Sequence, residues 1–124
     1  MAELKILVID DNPVVLKLDE SLLRSVGYEV ITASDGIEGI KKAREERPDI
    51  ILLDIILPGM HGFEVCKKLK EDETTKVIPV IIVTGAGLEE VARNEPDIQA
   101  EGYIAKPYGL EELEAAIQGA LKKH

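Results

Sequence analysis

A chain of 124 residues with 45% hydrophobic and 31% charged side chains can bury one core without disulfides or structural metals, and lies outside the compositions of disordered and membrane proteins. Its net charge of −9 and its three Tyr and one Phe argue against direct nucleic-acid binding, which needs clustered Lys and Arg or aromatic platforms for bases. The lone Cys66 excludes an intramolecular disulfide, and MAELKILVID is too short an apolar segment for a signal peptide or a membrane span, so a single cytoplasmic domain over 1–124 without membrane insertion is expected.

The first predicted strand is Ile6 to Ile9, and it runs straight into Asp10-Asp11. Turn chemistry alone could account for two carboxylates there, but Asn12-Pro13 already supplies an N-cap and an N1 proline for the helix that follows. That helix carries Val15, Leu18, Leu22 and Val26 at spacings of three and four, the expected core face, and Gly27 is its stop. A short second strand, Val30-Ile31 within YEVIT, leads to a helix with Asp35 and Glu38 at capping-box spacing. Ile37, Ile40 and Ala43 mark its expected apolar face, and Pro48 its end.

The third strand, Ile50 to Leu53, is continuously apolar and closes on Asp54, with no turn residue until Pro58-Gly59. His61 reads as a loop residue, and Cys66 in FEVCKKL as a small core residue on a helix. The fourth strand, Val80 to Val83, ends in Thr84. Gly85-Ala86-Gly87 has the look of a dinucleotide loop, but Glu90 falls where that fingerprint needs its third glycine. Instead, Gly85 and Ala86 are expected to keep the approach to Asp54 open. A fourth helix should follow and end by about Glu95, because Pro96 costs about 3 kcal/mol in a helix interior. The fifth strand is GYIA, 102 to 105, followed by Lys106-Pro107 and a last helix with Leu110, Leu113, Ile117 and Leu121 on one face. With Lys123 near the end of the sequence, an effector domain and a DNA-binding output are not expected of this chain.

Strands one, three and four are continuously apolar and so belong in the centre of a parallel sheet, with two and five at its edges. Right-handed crossovers then give a (βα)5 doubly wound α/β sheet of order 2-1-3-4-5, whose ligand crevice opens beyond the carboxyl ends of strands one and three. Asp10, Asp11, Asp54, Thr84 and Lys106 converge there. Three carboxylates against one ammonium leave a surplus of about two negative charges, which calls for a divalent cation; all donors are hard oxygens, which fits Mg²⁺ or Mn²⁺. Mg²⁺ bridges to phosphate oxygens, so Asp54 is the expected nucleophile toward phosphorus, with Lys106 and Thr84 placed to bind the transferring group.

The acidic pair in VIDDNP, the acceptor in ILLDIILPGMHG, the hydroxyl in VIIVTGAG and the Lys-Pro of GYIAKPY together resemble the receiver domains of two-component response regulators, including the single-domain chemotaxis and sporulation regulators. The resemblance spans the whole chain in family order. It implies a flavodoxin-like fold and phosphorylation of Asp54 by a sensor histidine kinase or a phosphotransfer protein, or by a small phosphodonor. It implies Mg²⁺ ligation by Asp11, Asp54 and the Ile56 carbonyl, with Asp10 acting mainly through water. It assigns Thr84 and Tyr103 as a switch pair, Lys106 as the phosphate-binding lysine and Pro107 as following a cis peptide bond. The output would be a changed surface of the fourth helix, fifth strand and last helix that controls an unidentified downstream protein. Such a domain holds one phosphoryl group rather than turning over substrate. Two other readings are a phosphatase of the haloacid dehalogenase type, which wants Asp-x-Asp where this chain has Asp10-Asp11-Asn12, and a receiver-like module that is never phosphorylated.

Overall fold

The computed structural model describes residues 4–55, 57, 59–85 and 99–122. Five parallel strands, β1 (Lys5–Ile9), β2 (Glu29–Ala33), β3 (Ile50–Asp54), β4 (Val80–Thr84) and β5 (Gly102–Ala105), form one sheet of order β2-β1-β3-β4-β5. Four helices are described: α1 (Pro13–Ser25), α2 (Gly36–Glu46), α3 (Gly62–Glu71) and the C-terminal α4 (Leu110–Lys122). The helix expected before Pro96, and with it the shape of that connection, lies outside the described residues.

The sheet order follows from what each strand can leave wet. Every residue of β3 and β4 is buried, as are all but the first of β1, whereas β2 and β5 are mixed. Side chains alternate across a strand, and the sheet separates two cores accordingly. Leu7, Ile9, Ile51, Leu53, Val80 and Ile82 pack with Ile40 and Ala43 of α2 and Val65, Cys66 and Leu69 of α3. Ile6, Val8, Ile50, Leu52, Ile81, Val83 and Ile104 pack on the other face with Leu23 of α1 and Leu113, Ile117 and Ala120 of α4. Fully burying each such aliphatic side chain contributes about 1.5–3 kcal/mol, so the strands with the most of them take the middle.

Helix ends follow local chemistry. Asn12 Oδ1 accepts the N–H groups of Val14 and Val15 at 2.9 and 3.4 Å, and Pro13 opens α1. The helix ends at Val26, and Gly27 takes φ +99°, a conformation open to glycine without strain. At α2, Asp35 Oδ1 accepts Glu38 N–H at 2.8 Å, but Glu38 reaches back to the N–H of Ser34 at 2.7 Å rather than to Asp35, so the box closes one residue further out than its spacing suggests. Arg47 ends α2 in a left-handed conformation, φ 47°, ahead of Pro48. His61 is not a plain loop residue: its Nδ1 accepts Phe63 N–H at 3.1 Å, so it caps α3.

Two expected helix faces need correction. On α1, Leu18 is 57% and Val26 40% exposed, while the buried positions are Asp19 and Leu23, with Leu16 packed beside them. Apolar residues ring this helix, so periodicity alone did not single out the stripe at 16, 19 and 23, and a carboxylate within it hid it further. On α2, Ile37 is 72% exposed. Gly36 and Gly39 take the inner positions instead, because α2 lies so close to Ile9 and Val65 that a Cβ at either glycine would fall within 2.6 Å of those side chains. The last helix buries Leu113 and Ile117 as expected.

Candidate functional site

Three charged side chains meet at the carboxyl ends of the strands. Asp10 follows β1, and its N–H donates to Ala33 of β2 at 3.1 Å, carrying the sheet pairing one residue past the strand. Asp54 is the last residue of β3. Lys106 follows β5, its N–H donating to the Thr84 carbonyl at 2.7 Å, and its bond to Pro107 is cis, as the resemblance implied. Asp10, Asp54 and Lys106 stand two residues beyond Val8, Leu52 and Ile104, which all face the α1–α4 core. The two-residue period therefore sends all three side chains to the same side. Lys106 Nζ donates to Asp10 Oδ2 and to Asp54 Oδ2, each at 3.0 Å.

The cluster is strongly charged and poorly solvated. Asp10 is 3% and Asp54 8% exposed, whereas Asp11 is exposed. Carboxylate oxygens of Asp10, Asp11 and Asp54 lie within 4.8 Å of one another. At that spacing two like charges repel by about 3.5 kcal/mol at an effective dielectric of 20. Burial draws the Lys106 ammonium toward neutrality, but its hydrogen bonds to Asp10 and Asp54 and their negative charge more than offset this, and its pKa stands above that of an ordinary lysine. One lysine cannot balance three carboxylates. A hard divalent cation fits this all-oxygen donor set, and Mg²⁺, which takes one or two carboxylates and keeps several waters, fits it best.

Thr84 and Tyr103 sit on the other side of the sheet. Tyr103 is paired in register with Ile82 and packs against the core under α2 and α3. Thr84, two residues beyond Ile82, is 1% exposed, and its hydroxyl has no hydrogen-bond partner among the described residues. The Ile56 carbonyl, expected among the metal ligands, and Ala86 lie outside the described residues. Asp10 also does turn work: its Oδ1 accepts Asn12 N–H at 2.9 Å, while its Oδ2 is the oxygen that meets Lys106. Cys66 is fully buried, and loss of solvation pushes its thiol up to about 11, as suits a core residue and not a nucleophile.

Sequence reasoning missed a second polar pair beside the site. Asp19, buried in α1, accepts a hydrogen bond of 2.8 Å from the Tyr108 hydroxyl, 89 residues away and two beyond Lys106. Burial raises the Asp19 carboxyl above its ordinary range despite that bond, Asp10 adding to the rise and Lys106 opposing it. Burial and the neighbouring Asp19 likewise raise the Tyr108 hydroxyl. The pair adjoins an open groove of about 190 Å³ bordered by Val15, Leu18, Leu22 and Pro107. A carboxylate at core spacing in α1 was the available signal.

Comparison with known proteins agrees with this geometry. Residues 6–118 match the family described as response regulator receiver domain. The chain is 39% identical over 119 residues to the DNA-binding dual master transcriptional regulator RpaA of Synechocystis, covering 96% of this chain and 49% of that protein. It is 36% identical over 117 residues to protein PilH of Pseudomonas aeruginosa, covering 94% and 97%. Among solved structures it resembles the receiver domain of a sensor histidine kinase from Pseudomonas aeruginosa, with 32% identity, TM-score 0.87 and 98% and 99% of the two chains covered; that structure has a magnesium ion coordinated in its active-site cleft. The chain spans about half the length of RpaA and similar curated relatives. With the sheet order, the acidic cluster and the lysine that bridges it, these matches establish that the chain belongs to the response regulator receiver domain family, signalling domains of two-component systems.

Proposed function

We propose that this domain accepts one phosphoryl group on Asp54 from the phosphohistidine of a histidine kinase or phosphotransfer protein, or from a small acyl phosphate. The observation that carries the proposal is the placement of the Asp54 carboxylate: at a strand tip, 3.0 Å from Lys106 Nζ and clustered with Asp10 and Asp11. A carboxylate held against an ammonium, as Asp54 is by Lys106, can attack phosphorus without a general base. An Asp54 oxygen forms the new bond to phosphorus while the bond from phosphorus to the donor nitrogen or oxygen breaks and the donor leaves with the electron pair.

Asp10, Asp11, Asp54 and the Ile56 carbonyl would hold Mg²⁺, which supplies positive charge to the oxygens of the transferring group. Lys106 then moves from pairing two carboxylates to binding a phosphoryl oxygen, and the Thr84 hydroxyl donates to another. A charged hydrogen bond made in one conformer alone is worth about 1.5–3 kcal/mol. Each ~1.4 kcal/mol shifts a two-state population tenfold, so that contact is enough to bias the position of Tyr103 and the surface around β5. Binding of a downstream protein to that surface is the output. Asn12, which a haloacid dehalogenase-type phosphatase would need as its second aspartate, is here the cap of α1, and this disfavours the phosphatase reading.

Incubation with acetyl phosphate and MgCl₂ followed by intact-mass measurement tests the proposal. The wild type should gain one phosphoryl group and Asp54→Asn none, with the same far-ultraviolet circular dichroism for both. If Asp54→Asn is modified at the wild-type rate, another residue is the acceptor.

A further inference from the structure

We infer that Tyr108, anchored by Asp19, is a positioning residue for phosphoryl transfer: their hydrogen bond ties the loop that carries Lys106 to α1, and so holds the lysine ammonium over Asp54. This deepens the reading of Asp54 as acceptor and rests on it.

Lys106 has a long, flexible side chain that is about one-third exposed. Its backbone is held on one side, where its N–H, just past β5, meets the carbonyl of Thr84 at the end of β4. On the other side the chain passes through Pro107, which has no N–H to donate, and reaches Tyr108 before α4 begins at Leu110. The Tyr108 hydroxyl bond to Asp19, at 2.8 Å, is a side-chain tether on that side of the lysine, and it ties the loop to α1. Its far end is well fixed. Asp19 is 3% exposed and lies in the buried stripe of α1 next to Leu23, on a helix whose first turn is capped by Asn12, two residues from Asp10.

The position of Asp19 is otherwise unfavourable. A carboxylate taken out of water costs free energy unless it is hydrogen-bonded, and burial raises its pKa here in spite of Tyr108. An aliphatic residue would suit this stripe better. The carboxylate earns its place by what it holds, and what it holds is two residues from the ammonium that bridges Asp10 and Asp54. The tether also joins the groove edge formed by Val15, Leu18 and Leu22 to the same loop. Catalysis by positioning is steep, since small misplacements of a charged group cost large factors in rate.

Two measurements on the full chain test this. In the absence of metal and donor, the mobility of the Lys106 side chain is followed at one fixed pH through ¹³Cε relaxation. Tyr108→Phe exchanges one neutral ring for another and so adds no charge, yet it should loosen Lys106 and raise the mobility of its Cε, which a role confined to local packing of Tyr108 would not do. In the presence of acetyl phosphate and Mg²⁺, Tyr108→Phe should slow phosphorylation of Asp54 about three- to tenfold. In a Lys106→Gln background the same change should have little further effect, because residues acting as one unit are not additive. Asp19→Ala should match Tyr108→Phe, and Asp19→Asn, which keeps an acceptor for the hydroxyl, should lose less. An unchanged Lys106 Cε relaxation, or equal slowing in both backgrounds, overturns the inference and leaves Asp54 as acceptor untouched. A wild type that takes up no phosphoryl group overturns the underlying reading, and the inference with it.

Discussion

The Thr84 hydroxyl is buried without a partner among the described residues, and an unsatisfied buried hydroxyl costs about 1–3 kcal/mol. Under the proposed function that cost falls on the unphosphorylated state, in which no acceptor oxygen of a phosphoryl group is present. Thr84→Val keeps the branched shape and removes the polar atom. It should leave the protein at least as stable as the wild type, and up to about 1 kcal/mol more so, by urea denaturation, while abolishing the conformational response to beryllofluoride. A loss of more than about 1 kcal/mol would show that the hydroxyl is satisfied after all. Convergence of Asp10, Asp54 and Lys106 was legible in the sequence because each ends an apolar strand, and parallel strands end at a common edge. Asp19 and Tyr108 were not legible, since their hydrogen bond exists only once α1 and the loop after β5 are packed together.

At the scale of elements, the approach of α3 to the end of β3 is set by Gly62. A Cβ there would lie 2.4 Å from Ile55 Cα and 2.6 Å from the Asp54 carbonyl oxygen, and neither is a side-chain tip that could swing away. Gly62 N–H also donates to the Ile55 carbonyl at 2.8 Å, fixing the turn on which Asp54 depends. Gly62→Ala should therefore destabilise by about 1–3 kcal/mol or more, and slow phosphorylation as well. Gly119, in α4, has nothing within 4 Å of its would-be Cβ, and Gly119→Ala should stabilise by about 0.5–1 kcal/mol through helix propensity. Chemical denaturation of the two variants separates the cases; equal small effects would mean that the backbone at Gly62 yields. Helix termini were readable from Asn12-Pro13, Asp35 and Gly27 because caps are local chemistry. The inner faces of α1 and α2 were not, because Leu18 and Ile37 are apolar at helical spacing yet point outward, and spacing does not tell which side meets the sheet.

For the whole molecule, sheet order could be read from the strands because three of them are too apolar to stand at an edge. The functional consequence is electrostatic: a chain of net charge −9 gathers three carboxylates at one crevice and, among the described residues, sets a single lysine against them, which leaves negative charge unbalanced. A cation that binds the folded site but not the unfolded chain stabilises the fold, by about 2.7 kcal/mol at a concentration one hundred times its dissociation constant. MgCl₂ should accordingly raise the thermal midpoint more than NaCl at matched ionic strength, which acts by screening repulsion across the surface. Asp11→Asn is the informative variant. Asp11 is exposed, whereas Asp10 both pairs with Lys106 and holds the Asn12 turn, so its replacement would confuse metal binding with folding. Loss of Asp11 should remove most of the Mg²⁺-specific increment while leaving the NaCl increment in place. Equal increments from the two salts, unaffected by Asp11→Asn, would mean that the carboxylates share only diffuse counterions, and the phosphoryl transfer proposed for Asp54 would then lack its charge neutralisation.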